Sequence, residues 1–249
     1  YIFMGWNPEP KNITGAMSVY ALFRYTGFVS LRLVERTLEG EYVNNRITSI
    51  PVRAFWQLSK VTKLTFANVK SCANQAFYDC NRLTSVDLPE CETITGYTFQ
   101  STPALTSVNL PKLKSTDAYA FLGSNLTSID LPSIETMGGS SFSGLKNLIS
   151  VTLGENLTTI PGNCFNSCTS LPELTIPAKV ERVEDFVVTN APKLESITFK
   201  GKPTYVSRLA FVNTINLTDI YVPWEEGEVA NAPWGASNAT IHYGSTGNV

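Results

Sequence analysis

Charge is scarce in this chain. Of 249 residues only 16% are Asp, Glu, Lys or Arg, and 19 basic side chains against 21 acidic ones leave a formal charge of −2. Nucleic-acid binding needs a clustered Lys/Arg excess to neutralise phosphates, and none is present. Disorder is excluded from the opposite side, because 43% of the residues are hydrophobic, more than a solvated chain carries. Long apolar runs are missing too. None exceeds five residues, as in 118–122, against the roughly 20 needed to cross a bilayer. The reading is no nucleic acid and no membrane insertion.

The chemistry of catalysis is equally thin. There is one histidine, His242, near the C-terminus, and no nucleophile stands in sequence where a Ser-His-Asp or Cys-His relay would want it. No H-E-x-x-H, EF-hand loop, Walker loop or G-x-G-x-x-G occurs. The cysteines are Cys72, Cys80, Cys91, Cys164 and Cys168; their odd number leaves at least one free or bonded to another chain. Cys164 and Cys168 lack the two further ligands that zinc would require. The expectation is no catalytic residue, no metal and no cofactor. The chain begins at Tyr1 without a methionine or a basic-then-apolar leader, which reads as a processed product or excised fragment.

What is present is a repeat. The segment NRLTSVDLPECETITGYTF (81–99) lies over PALTSVNLPKLKSTDAYAF (103–121), then over NLTSIDLPSIETMGGSSF (125–142) and NLISVTLGENLTTIPGNCF (147–165). Anchor positions fall at Phe55, Phe77, Phe99, Phe121, Phe142, Phe165, Val188 and Phe211, separated by 22, 22, 22, 21, 23, 23 and 23 residues. In most units a Leu comes six residues after the anchor, followed by an alternating segment such as 85–88. A period of two marks a short half-buried strand. Proline often ends it, as at Pro89, Pro111, Pro132, Pro177 and Pro223, because it removes a ladder donor. A second apolar pair at spacing three follows, for example Cys91 and Ile94. Such a unit cannot bury its own apolar face, but stacked units bury a continuous one. The fold class is therefore a mainly β repeat solenoid: a right-handed coil of about seven to eight repeats of 21–23 residues, with short strands forming a parallel sheet.

The pattern L-x-x-I-x-L-P, a second apolar pair, then A-F with C-x-x-L beyond, resembles the BspA-like (Treponema-type) leucine-rich repeat. Ala76-Phe77 with Cys80 and Leu83, and Phe165 with Cys168 and Leu171, carry the match. Val188 in place of Phe and Gly154 in place of the post-strand Pro are local departures. The resemblance covers roughly residues 46–222 and implies an extracellular or cell-surface bacterial protein, of a family that includes adhesins. Tyr1, Phe3, Gly5 and Trp6, with Tyr20, Ala21 and Phe23, resemble the closing portion of an internalin-type β-grasp repeat. The tail from Val222 to Gly244 resembles one shared by surface and prophage-associated repeat proteins of gut bacteria.

Three segments follow: 1–27, a β-grasp remnant or N-terminal cap; 28–222, the solenoid, with Leu31 and Leu33 in an atypical first strand; and 223–249, a cap containing Trp224 and Trp234. The exposed half of each strand gives two rows. One runs Lys63, Ser85, Ser107, Ser128, Ser150, Glu173, Ser196, Asp219; the other runs Thr65, Asp87, Asn109, Asp130, Thr152, Thr175, Thr198, Tyr221. Ser85, Asp87, Ser107, Asn109, Ser128 and Asp130 are the candidate ligand-binding residues, and Tyr221, Trp224 and Trp234 a candidate aromatic edge. Asp87 and Asp130 would lie two strand spacings apart, about 9.6 Å, too far to share one cation. The expected function is non-enzymatic recognition of, or adhesion to, a protein on a host or bacterial surface. The alternative is a structural spacer or display segment of a larger surface or prophage-associated protein.

Overall fold

The computed structural model describes the backbone of residues 2–7 and 20–24, and residues 38–247 in full. Near the N-terminus β1 (Ile2–Asn7) pairs antiparallel with β2 (Tyr20–Arg24), with a register shift between Phe3 and Gly5. The strand expected around Leu31 and Leu33 lies outside the described residues.

From residue 40 onward the chain winds as a solenoid, and each coil contributes a strand to one long face. That face comprises β3 (Gly40–Val43), β5 (Val61–Thr65), β7 (Ser85–Asp87), β9 (Ser107–Asn109), β11 (Ser128–Leu131), β12 (Ser150–Leu153), β14 (Glu173–Ile176), β16 (Ser196–Phe199), β18 (Asp219–Tyr221) and β19 (Thr240–His242). All ladders in it are parallel. Hydrogen bonding divides it into three sections, β3–β5–β7–β9, β11–β12 and β14–β16–β18–β19. One break has a direct chemical cause. In neighbouring coils the residue seven past the anchor donates its N–H to the coil before, as Thr84 does to Thr62 and Ile149 to Thr127. At the start of β14 that residue is Pro172, which has no N–H to give. The other break, between β9 and β11, falls at the 21-residue step, where Thr127 reaches Thr106 only at 3.5 Å.

A second face is made of two-residue strands: β4 (Ser49–Ile50), β6 (Ser71–Cys72), β8 (Thr93–Ile94) and β10 (Ser115–Thr116), then β13 (Thr159–Ile160), β15 (Arg182–Val183) and β17 (Tyr205–Val206). An isolated bridge from Ser115 to Thr136 carries the first group one coil further. The turn around the anchor residue forms a third hydrogen-bonded column. Each anchor N–H donates to the carbonyl just before the next anchor: Phe55 to Ala76, Phe77 to Thr98, Phe99 to Ala120, Phe121 to Ser141, at 2.7–2.9 Å. Within these turns residues two before and two after the anchor have positive φ, among them Tyr97 (59°), Ser101 (59°), Tyr119 (62°) and Phe186 (57°). Bulky residues rarely enter that region. Here the ladder holds them in it, since Tyr97 and Ser101 also donate to the next coil.

Alternation decides what is inside. β11 and β14 read exposed–buried twice over, and β16 reads half-buried–buried in the same rhythm. The anchor rings stack as one column: Phe55–Phe77 at 5.4 Å, then 4.9, 5.1, 5.3 and 5.7 Å down to Phe165, with interplanar angles of 9–16°. Strand spacing of about 4.8 Å matches the separation at which offset rings attract. Val188 interrupts the column. Beyond it Phe199, Phe211, Trp224 and Trp234 fill the end of the core in tilted and edge-to-face contacts of 5.2–6.5 Å. The repeat pattern fades after Pro223, yet the sheet does not: β19 pairs with β18 in register, Ile220 beside Ile241. Among the described residues the long face has ten strands, joined by nine turns of the coil.

Gly154, which stands where other coils have proline, is explained by proximity. A Cβ there would sit 2.6 Å from the Pro132 carbonyl and 2.9 Å from the backbone of Ile134. Two outcomes are expected in chemical denaturation. Phe99→Ala, in the middle of the ring column, should destabilise by about 3–5 kcal/mol. Gly154→Ala should also lower the midpoint although it removes no contact, because backbone has to move; an unchanged midpoint would contradict the close approach.

Candidate interaction face

The residues that face outward on the long sheet are placed by strand register, not by any loop. Lys63 pairs with Ser85 and Ser85 with Ser107; Thr65 pairs with Asp87 and Asp87 with Asn109. Ser128 pairs with Ser150 and Asp130 with Thr152. Further along, Glu173, Ser196, Asp219 and Thr240 continue the first row, while Thr175, Thr198, Tyr221 and His242 continue the second. Both rows lie as the alternation indicates, and each runs one strand beyond Tyr221.

Of the six candidate residues, four share one hydrogen-bonded section: Ser85, Asp87, Ser107 and Asn109. Asn109 Nδ2 donates to Asp87 Oδ1 at 2.7 Å, so this carboxylate is steadied by a neutral amide. Ser128 and Asp130 belong to the next section. No group of three His, Cys, Asp or Glu side chains suited to a metal ion occurs among the described residues. Trp224 and Trp234 are 4% and 0% exposed. Burial withdraws their ring faces from the surface, and Trp234 Nε1 donates to the Ala230 carbonyl. Of the candidate aromatic edge only Tyr221 remains on the face.

What joins it there was not foreseen. His242 stacks on Tyr221 at 4.6 Å and 16°, and His242 Nε2 lies 2.7 Å from Asp219 Oδ1. Thr218 Oγ1 donates to Asp219 Oδ2 at 2.7 Å. The result is a compact polar–aromatic corner at the C-terminal end of an otherwise Ser/Thr-rich sheet. Its signal was in the sequence: Thr240-Ile241-His242 repeats the alternation of Asp219-Ile220-Tyr221.

The cysteines are all buried. Burial pushes the Cys164 and Cys72 thiols well up and raises Cys168 to about 12. Cys91 is lowered by a hydrogen bond from Cys72 but is itself fully enclosed. Cys80 Sγ and Cys168 Sγ each donate to a carbonyl of the preceding coil, Phe55 and Phe142. Reactive cysteines combine thiolate character with access; these behave as small core residues.

A family model for the BspA type leucine-rich repeat region matches the chain in six copies, over residues 41–124 and 114–232. The chain belongs to this family. None of the curated proteins compared matches it. Among solved structures, a leucine-rich repeat protein from Bacteroides ovatus is 20% identical with a TM-score of 0.54, covering 79% of this chain and 64% of that one. The leucine-rich repeat protein of T. pallidum is 19% identical, also with a TM-score of 0.54, covering 72% of this chain and 83% of that one. The chain thus spans just under two thirds of the B. ovatus structure. Both likenesses are of fold.

The Asp219 corner has a pH consequence. The Thr218 hydroxyl, then His242, hold the Asp219 carboxyl below its ordinary range. A depressed folded-state pKa contributes stability above the unfolded value of about 3.9 and loses it as pH falls through the lower folded value. Asp219→Asn should therefore flatten the acid limb of the stability profile. Urea midpoints measured between about pH 3 and 6 check this; an unaltered profile would show that the corner contributes nothing.

Proposed function

We propose that this BspA-type solenoid is a non-catalytic recognition module, displayed outside a bacterial cell, that binds a protein partner across its long parallel sheet. One observation carries the reading. The outward residues form two rows, in register within each of the three sections of the sheet, small and polar through the middle and ending in the Asp219–His242–Tyr221 corner. An extended surface of side chains in rows suits a folded protein better than a small molecule. Tyrosine supplies the kind of anchor on which protein interfaces concentrate affinity, with polar neighbours around it. Family membership supports an adhesive role at a host or bacterial surface. In the same reading residues 1–27 are the remnant of an internalin-type β-grasp repeat, and residues 223–249 close the end of the solenoid.

Acyl transfer of the relay kind needs a base turned toward a nucleophile; among the described residues the His242 ring is stacked on Tyr221 beside Asp219 and the thiols are enclosed.

The test is capture from bacterial-surface and extracellular-matrix fractions on the immobilised chain. Asp87→Lys with Asp130→Lys, and separately Tyr221→Ala, should each abolish capture of a given protein while leaving the melting temperature within about 2 °C, since surface substitutions away from special features usually change stability by less than 0.5 kcal/mol. Capture that is equal for wild type and both variants would remove the sheet as the binding face and favour the spacer alternative.

A further inference from the structure

The second face carries a pattern that sheet recognition leaves unused. One residue before each short strand, a column runs Thr48, Lys70, Glu92, Lys114, Glu135, Thr158, Glu181, Thr204. Backbone hydrogen bonds fix most of the order: Lys70 N–H to Thr48 O, Glu92 to Lys70, Lys114 to Glu92 and Glu135 to Lys114, then Glu181 to Thr158 and Thr204 to Glu181. The next residues are small in successive coils: Ser71, Thr93, Ser115, Thr136 and Thr159. At the entry to the turn a further column runs Gln75, Tyr97, Tyr119, Ser140, Asn163, Phe186. Two rings, two small side chains and a ring follow one another. Tyr97 and Tyr119 stack at 5.0 Å, and with Phe186 they rank among the large hydrophobic side chains left exposed, at 36–37%.

A two-fold axis lying in this face, perpendicular to the solenoid, orders both columns at once. Place it between the coil of Lys114 and Tyr119 and the coil of Glu135 and Ser140. It turns a second copy end for end and sets every column against itself. Lys114 then meets Glu135, Lys70 meets Glu181, and Glu92 meets Thr158. No charge in that column meets its like. The same axis sets Tyr119 against Ser140 and Tyr97 against Asn163. The stacked ring pair of one copy fills two coil heights, about 4.8 Å each, where the other has no ring. Ser115 against Thr136 and Thr93 against Thr159 keep the centre low enough for close approach. Pairing within one chain accounts for Lys114 with Glu92, 2.8 Å apart, but not for the match of Lys70 to Glu181 or of rings to gaps.

We infer that two copies of this chain associate antiparallel across the second face, as an isologous dimer about this axis. Charge and shape set the register together: an axis through either central coil sets Lys114 on Lys114 or Glu135 on Glu135, and a shift by one whole coil sets ring on ring, Tyr97 on Tyr119 or Tyr119 on Phe186. The buried rings supply the anchoring contacts. The long sheet is left open on both copies.

Sedimentation equilibrium of the whole chain tests this at low and moderate salt. The expected result is a monomer–dimer equilibrium that weakens as salt is added. Lys114→Glu alone, or Glu135→Lys alone, places like charges opposite each other twice by symmetry and should weaken the dimer at least about tenfold. The double variant Lys114→Glu/Glu135→Lys should restore it to within a few-fold. Ser140→Tyr, which fills the gap with a residue type its own column already holds at positive φ, should abolish it. Thermal melts confirm folding of each variant, and Asp87→Lys/Asp130→Lys should dimerise like wild type, which separates this test from that of the recognition face. A chain that stays monomeric to about 1 mM overturns the inference. So does a dimer that the single charge changes leave intact, or that the double change fails to rescue.

Discussion

The spacing between hydrogen-bonded strands governs this molecule. At about 4.8 Å it fixes the rise of every coil, and every other column has to accept that rise. Phenylalanine does so because flat rings attract when offset at nearly that distance, and the measured separations of 4.9–5.7 Å follow it. The anchor N–H groups repeat the same step in the turn. Where the sheet ladder lapses, at Pro172 and at the 21-residue unit, the ring column does not: Phe121–Phe142 and Phe142–Phe165 remain stacked. Continuity of the solenoid therefore resides in the core and the turn, and the long sheet can be cut into three sections without the coil losing direction.

A column that works by stacking has a problem at its end, because the last ring has no successor. Val188 replaces a ring two coils before the end, and the aromatic residues beyond it adopt another geometry. Phe199, Phe211, Trp224 and Trp234 meet edge-on or tilted, which closes a space instead of propagating a stack. Trp224 and Trp234 together bury several hundred Å² of ring by the usual areas. β19 then covers the edge of β18. Termination here is built from volume and a final strand, not from a change of repeat.

How much of this could be read in advance varies with what each residue's neighbours demand. The anchors, the buried strand positions and both outward rows are written directly into the period, because a residue of the wrong character there would face the wrong medium. The left-handed turn positions divide. Two residues after the anchor stand Gln57, Asp79, Ser101, Gly123, Gly144, Ser167, Asn190 and Asn213, mostly types that tolerate positive φ, so that column was legible. Two residues before it stand Arg53, Gln75, Tyr97, Tyr119 and Phe186 among others, whose types say nothing of the kind; the ladder imposes the conformation and propensity yields. The Asp219–His242–Tyr221 corner was hidden for a different reason. The segment with Trp224 and Trp234 disguises the period, so a strand that repeats the preceding one reads as a tail. Which outward residues lie side by side was legible; which of them a partner would use was not, since small polar side chains satisfy solvent and ligand alike.

The scarcity of charge acquires meaning once the pairs are located. Lys60 with Glu39, Lys112 with Glu90, Lys114 with Glu92 and Lys202 with Glu228 each join neighbouring coils, and all are well exposed. Exposed pairs of this kind contribute about 0–1 kcal/mol, little beside the several kcal/mol held by a buried ring. Folding energy and surface charge are thus nearly independent. The core tolerates almost no change along its columns, while the outward rows and the Lys–Glu ladder can alter without endangering the coil. That independence lets a monotonous architecture carry different surfaces on its different faces, and it makes charge reversal on either face a clean probe of binding instead of a test of folding.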